Sequence, residues 1–514
     1  MLGAWLLPAI YAAGCLLAFG QPRHHWKIAK FTAAAALLTT LASVLGGLAW
    51  RQFAPLALDS VGLTVALLVA VLGWVIINYS SRYLNGEPGQ LRFVRAMLFT
   101  LAAVGILVVS RHLLVIVLAW TGTSLGLHHL LTFYRERKAA QVVAHKKFLV
   151  SRLAELCLVL ALWLVYHTTG SLTLDGLDAY LATVVGLPAP LHAAALLFAL
   201  AAILKTAQLP LHGWLIQVME APTPVSALLH AGVVNIGGLV LIRLAELISL
   251  APAAQVALVL VGSLTAVLAG LVMLTRISIK VRLAWSTCAQ MGFMLMEIGL
   301  GLYELALLHL VAHSLYKAYA FLGAGETVRL ARMNDFTLPG RAARSPLWYL
   351  GAVAAGAALV AGSAAAWGLF MTGLAVPPVA LLIVALGLAS LLWLEPGYTP
   401  GLLIRGVLQV LALTQLYLIW HLLFAGLAPA AAAPASPLVA WVVLCFGVLY
   451  GSQVWLRCYP DGRFARVLYP WAYCGFYLDE TFTRFTFKIW PVKLSLVQAQ
   501  TLANRHPALQ GEVA

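Results

Sequence analysis

Fifteen apolar runs, each long enough to cross a bilayer, leave this chain few ways to fold. They lie near 2–20, 28–50, 59–78, 93–110, 112–133, 147–166, 190–220, 223–246, 253–275, 281–301, 303–328, 346–372, 376–394, 402–427 and 436–456. A spanning helix needs about 20 predominantly apolar residues. With 62% hydrophobic and 10% charged residues and a mean hydropathy of +0.94, a soluble domain is excluded. The expected fold is an all-α polytopic membrane protein of about 14–15 transmembrane helices. No basic stretch precedes the first run, so Met1 to Gly20 reads as a span and not as a cleaved signal peptide.

The net charge of +15 would point to nucleic acid in a soluble chain, but here the placement of the charges decides. Basic residues fall in alternate loops: Arg23, Lys27, Lys30; Arg82, Arg92, Arg95; Arg135, Arg137, Lys138, Lys146, Lys147, Arg152; Arg276, Lys280, Arg282; Arg329, Arg332, Arg341, Arg344; Arg405; and seven from Arg457 to Arg505. These are 27 of the 32 Lys and Arg. Cytoplasmic loops carry the excess of Lys and Arg, which places the N-terminus outside and the C-terminus in the cytoplasm and accounts for the charge without nucleic acid. The expected surroundings are a lipid bilayer. Six cysteines form no CxxC or Cys/His ligand spacing and read as small packing residues. Residues 428–437 are a low-complexity loop, and the aromatic, basic tail from Arg457 is too polar to span; it suits either lipid headgroups or a docking surface.

One run breaks the apolar pattern. In KTAQLPLHGWLIQVMEAPTPVSALLH, Lys205 to His230, ionisable groups and three prolines stand inside hydrophobic surroundings. Pro210 removes a backbone donor and clashes one turn back, so the helix that carries Lys205 should break there. Hydrocarbon cannot satisfy the freed groups, so the break must be enclosed by protein and hydrated. A lysine beside it is a functional-site candidate, against the alternative of a snorkelling side chain near a helix end. Further on, His309, His313 and Lys317 recur every four residues. On a helix they line one face over about 12 Å, a stripe suited to passing protons because imidazole can accept at one nitrogen and donate at the other. Glu155 lies two turns into a span and either tunes Lys205 or pairs locally with Arg152 three residues earlier. Glu220, just before Pro222, suits a cap or loop role as well as conduction.

The stretch KTAQLPLHGWLIQVMEAPTPVSALLHAGVVNIGGLVLIRL resembles the signature of the proton-conducting antiporter-like subunits shared by respiratory complex I, multisubunit cation/proton antiporters and membrane hydrogenases. The resemblance runs from about residue 90 to about 335. It implies inverted repeats at 91–250 and 251–400, flanked by N-terminal helices 1–90, C-terminal helices 401–456 and a cytoplasmic tail 457–514. It also implies a proton-translocating set of Glu155, Lys205, His230, His309, His313 and Lys317, with His230 linking the two lysines. Two departures stand out: Trp120 is followed by Thr121 where the family carries a glutamate, and the counterpart of the second broken helix, 346–372, has no ionisable side chain.

HHLLTFYRERKAA (128–140) and GFYLDETFTRFTFKIWPVKL (475–494) are similar to the membrane subunits of the Dab inorganic-carbon accumulation complexes. That resemblance implies a large cytoplasmic zinc-binding partner resembling a β-carbonic anhydrase. Zinc and hydration chemistry would reside in the partner, leaving this chain a non-enzymatic coupling subunit with no cofactor that moves H+ or Na+. The alternatives are a proton-pumping subunit of a complex I-like or hydrogenase assembly, a Na+/H+ antiporter subunit, and a non-conducting scaffold.

Overall fold

Among the described residues each of the fifteen apolar runs is mainly helical, the run 190–220 with a break. The computed structural model describes residues 2–49, 60–327, 345–370, 376–393, 400–429 and 434–490. The first half comprises α1 (Leu2–Gly20), α2 (His25–Ala49), α3 (Ser60–Tyr83), α4 (Gln90–Val109), α5 (Leu113–Leu131), α6 (Lys138–Thr169), the short α7 (Leu174–Leu181), α8 (Ala189–Lys205), the single turn α9 (Gly213–Ile216), α10 (Thr223–Ala231), α11 (Ile236–Arg243) and α12 (Ala245–Ser249). The second comprises α13 (Pro252–Leu274), α14 (Ile279–Gly299), α15 (Tyr303–Leu322), α16 (Pro346–Phe370), α17 (Pro378–Ala389), α18 (Pro400–Phe424) and α19 (Ser436–Cys458), followed by α20 (Arg463–Tyr473) and α21 (Leu478–Ile489). Among the described residues eleven helices are long and apolar enough to span, and three more apolar helices are shorter. Arg329, Arg332, Arg341, Arg344, Lys493 and Arg505 lie outside the described residues.

Burial sorts the helices by role. The Thr223–Arg243 span is almost wholly enclosed, because α10 packs on α15 and α3 while α11 packs on α8 and α15. By contrast α16, α18 and α19 leave Leu347, Leu350, Leu408, Leu416, Leu444 and Val448 exposed, as lipid-facing helices do. The tightest crossing is α13 on α14. A Cβ added to Gly262 would fall 2.5 Å from the Gly292 carbonyl oxygen, and one added to Gly292 2.5 Å from that of Gly262. Small residues let two backbones approach this closely in a membrane, where packing and not hydrophobicity drives association.

Two expectations are corrected. The second broken helix expected at 346–372 is, over the described residues 346–370, one uninterrupted helix, α16, whose sequence holds no proline between Leu347 and Phe370 to remove a backbone donor. Lys146 and Lys147, counted with the loop charges, are buried, because α6 begins at Lys138 and carries both inward past its first two turns.

The tail folds back on its own membrane domain. A turn of three left-handed residues, Gly475, Phe476 and Tyr477 with φ of 62°, 55° and 59°, reverses the chain between α20 and α21. Ala465, Ala472, Phe482 and Thr486 face inward, while Phe464, Trp471, Tyr473, Phe485 and Phe487 stay exposed. The Arg276 guanidinium donates to the Ala472 carbonyl at 3.4 Å and lies between the rings of Trp285 and Tyr473.

Candidate functional site

The break in the Lys205 helix is enclosed as the sequence requires. Helix α8 stops at Lys205, Ala207 turns left-handed at φ 56°, and α9 resumes only at Gly213. Neighbouring side chains take up the freed backbone groups. Leu209 N–H donates to Thr265 Oγ1 of α13 at 3.3 Å, Cys288 of α14 donates to the Ala207 carbonyl at 3.2 Å, and Gln208 Nε2 donates to the Thr206 carbonyl at 3.1 Å. The three helices α8, α13 and α14 therefore hold the unwound segment between them.

Lys205 Nζ lies 3.3 Å from Ser124 Oγ, 3.5 Å from Glu155 Oε1 and 4.9 Å from the centre of the Trp120 ring. Glu155 also receives Arg152 at 2.7 Å, so the local pair and the pair with Lys205 coexist on one carboxylate. Trp120 and Ser124 are four residues apart on α5 and present the same face to Lys205. Lys147 Nζ donates to the Ser124 carbonyl at 3.5 Å and faces the Trp214 ring. Lys147, Ser151 and Glu155 recur every four residues on α6, the pattern already read in His309, His313 and Lys317. It was the available signal for Lys147.

A second polar cluster surrounds α15. Lys317 Nζ donates to the Leu283 carbonyl at 3.0 Å and to Ser286 Oγ, both on α14. His313 Nε2 donates to the His230 carbonyl at 3.3 Å, and its ring centre is 5.9 Å from that of His309. His309 Nδ1 lies 2.9 Å from Glu297 Oε2. A cavity of about 610 Å³ is lined by His309, His313, Lys317, Ser286, Gln290 and Arg282. His230 stacks on Phe321 with ring centres 4.4 Å apart. Glu297 was absent from the sequence-derived set, although it is the only acidic residue in the run 281–301.

Around the break and along α10 and α11, Gln208 Oε1, His212 Nε2, Ser226 Oγ, His230 Nδ1 and Asn235 Oδ1 are buried without a protein partner among the described residues. Asn235 Nδ2 reaches Ser314 Oγ at 2.7 Å, linking α11 to α15. Buried polar atoms of this kind ordinarily hold water. The structure thus brings Glu155 to Lys205, and His230, His309 and His313 to one another with Lys317 a turn further along α15. Glu220 stands apart at the surface, with Arg137 at 3.5 Å.

The tail closes over the first cluster. Asp479 of α21 accepts from Lys146 Nζ at 2.8 Å and from Gln217 Nε2 at 2.8 Å, pressed against Gly213, where a Cβ would collide with the carboxylate. Trp490 stacks on His145 with ring centres 4.0 Å apart, and it walls a cavity of about 110 Å³ with Ser124, His128, His129, Lys147, Ser151 and Arg152. No sequence spacing announces this contact across more than 300 residues. Outside the spans, Arg111 donates to Asp175 and holds its carboxyl below the usual range, while burial, with Glu246 adding to it, pushes Asp178 up to about 6.

A family model described as NADH:quinone oxidoreductase/Mrp antiporter, TM, matches residues 110–391, and one described as NADH-ubiquinone oxidoreductase (complex I), chain 5 N-terminus, matches 54–94. The probable inorganic carbon transporter subunit DabB of Hydrogenovibrio crunogenus is 38% identical over 95% of this chain and 94% of its own. The probable inorganic carbon transporter subunit DabB2 of Halothiobacillus neapolitanus is 40% identical over 88% of this chain and 83% of its own. The Mrp complex from a Dietzia species superposes with a TM-score of 0.60 at 23% identity, over 98% of this chain and 61% of that one, a likeness of fold.

Proposed function

Since the chain belongs to the NADH:quinone oxidoreductase/Mrp antiporter family and, within it, to the DabB inorganic carbon transporter subunits, we propose that it conducts a cation that drives inorganic-carbon accumulation. The cation is a proton before Na+. Its path runs through Glu155, Lys205, His230, His309, His313 and Lys317. The observation that carries this reading is the pairing of Lys205 with Glu155 and Ser124 beside a protein-enclosed helix break. Burying an ammonium group is costly, so intramembrane lysines ordinarily mark ion pathways. The unpaired atoms of Gln208, Ser226, His230 and Asn235 offer a hydrated connection toward Lys317.

The partner is a large cytoplasmic zinc-binding subunit resembling a carbonic anhydrase, which performs the hydration chemistry. In this reading the membrane is the bacterial inner membrane, with the N-terminus outside and the tail in the cytoplasm. At 100 mV one elementary charge is worth about 2.3 kcal/mol, roughly a forty-fold bias in an equilibrium, enough to make conversion of CO2 to bicarbonate directional. The test is Lys205→Ala in the natural host. Uncoupler-sensitive accumulation should disappear while the complex still purifies intact; unchanged accumulation would overturn the path.

The fold shared with the Mrp complex favours one competing reading, a Na+/H+ antiporter subunit. Mild-detergent purification separates the two: a single large zinc protein supports carbon accumulation, whereas a set of antiporter subunits with sodium-sensitive growth on deletion supports the other.

A further inference from the structure

We propose that Glu297 is a protonatable station of the second half of the chain, continuing the α15 stripe from His309 toward the face opposite the tail. The inference rests on the conduction reading and adds a residue outside its set. Helix α14 leaves the tail face near Arg276 and Trp285 and ends at Gly299, so Glu297 lies close to its far end. Lys317, His313 and His309 step along α15 in the same direction, because α15 begins at that far end with Tyr303. The turn at Leu300 to Leu302 brings the two helices together, and Glu297 Oε2 meets His309 Nδ1 at 2.9 Å. Both side chains are about nine-tenths buried, at 9% and 10% exposure.

A carboxylate is costly at such a position unless it is paired. The pairing here is of a kind that moves protons. His309 holds Glu297 with Nδ1, while Nε2 is buried without a partner among the described residues, on a side chain that lines the 610 Å³ cavity shared with His313 and Lys317. When Nε2 takes a proton from that side, the Nδ1 proton passes to the Glu297 carboxylate. The products are a neutral imidazole and a neutral carboxylic acid. Loss of the proton from Glu297 to water restores the carboxylate, and a flip of the neutral imidazole, which turns its protonated nitrogen toward Glu297 and its bare nitrogen toward the cavity, resets His309.

Other groups around Glu297 fit this role. Tyr417 of α18 lies within its electrostatic reach, and among the described residues the Tyr417 hydroxyl is buried without a partner. Phe293 packs on His309 and Phe446 packs on Phe293, closing the apolar side. His313 is the next titratable group along α15. Helix α16, where the resemblance led one to seek a charge, is uninterrupted and places none here.

The test compares Glu297→Gln, Glu297→Asp and Lys205→Ala in the full complex in its host, with uncoupler-sensitive inorganic-carbon uptake expressed per assembled complex. Glutamine keeps the size and can accept from His309 Nδ1 but takes up no proton. Uptake should fall at least ten-fold in Glu297→Gln, and Glu297→Asp should recover at least a third of it. Wild-type uptake in Glu297→Gln alongside loss in Lys205→Ala overturns the role of Glu297 and leaves the conduction reading standing. An aspartate variant as inactive as the glutamine variant also overturns it, since a carboxyl would not then be what matters. Full uptake in both Glu297→Gln and Lys205→Ala overturns the conduction reading and this inference with it.

Discussion

Glu155 serves two cations at once, Arg152 on its partly exposed side and Lys205 on its buried side. Removing one member of a buried pair leaves the other uncompensated, at a cost of about 3 kcal/mol. Glu155→Ala should therefore lower thermal stability by about that much, since Lys205 would keep only Ser124 and Trp120. Adding Lys205→Met should recover most of the loss, and a double-mutant cycle in detergent should show a coupling above about 1 kcal/mol. Additive losses would mean that Arg152 alone accounts for Glu155. Asp178 behaves differently. Burial, together with Glu246, raises its carboxyl from 3.8 to about 6, against a smaller opposing pull from Arg111. A carboxyl raised in the folded state stabilises it fully below the unfolded value, and that contribution is lost as pH rises through about 6. Asp178→Asn should therefore raise unfolding stability above pH 7, by about 1 kcal/mol at most after solvent screening, with the gain gone by pH 4. A gain that is the same at pH 4 and pH 8 would contradict this.

At the scale of elements, glycines divide into those that set a crossing and those that do not. A side chain on Gly292 would meet the Gly262 carbonyl oxygen at 2.5 Å and the Ala266 nitrogen at 2.8 Å. These are backbone atoms and cannot rotate away. Gly292→Leu should force α13 and α14 apart and abolish recovery of monodisperse protein, whereas Gly362→Ala on α16, with nothing within 4 Å, should keep or raise stability by up to about 1 kcal/mol. Equal yields from the two variants would remove the crossing from the argument. The same scale shows what a sequence can convey. Apolar runs and alternating charge mark the spans because both follow from the solvent, and Pro210 beside Lys205 marks the break because the chemistry is local. The continuity of α16 was obscured by a resemblance in which the corresponding helix is broken, although its own residues hold no breaker. Glu297 and His309 were not joined because they lie on two helices, and only the turn at Leu300 to Leu302 sets their register. Lys147 was missed for another reason: it was counted as a loop charge, while its spacing from Ser151 and Glu155 already followed the helical stripe used for α15.

Across the whole molecule, the tail ties the last described helix to the first cluster. Asp479 reaches Lys146 and Gln217 from α21, Gly213 leaves room for its carboxylate, and Trp490 covers the small cavity above Lys147. Lys146 is fully buried, so its partner on the tail is the charge that permits that burial. Whatever moves α21 must therefore either carry Lys146 with it or strand an ammonium group in the protein. The tail and the broken helix are coupled in this physical sense, because a displacement of one changes the electrostatic cost at the other. Asp479→Ala should lower stability by about 3 kcal/mol and raise hydrogen exchange across Leu478–Ile489. Lys146→Met on that background should return the stability but not the exchange protection, because the docking bonds from Lys146 and Gln217 to Asp479 would both be gone. If exchange in α21 stays at the wild-type level in Asp479→Ala, then Phe482 and Trp490 hold the tail without the ion pair, and the link between tail and broken helix is one of packing and not of charge.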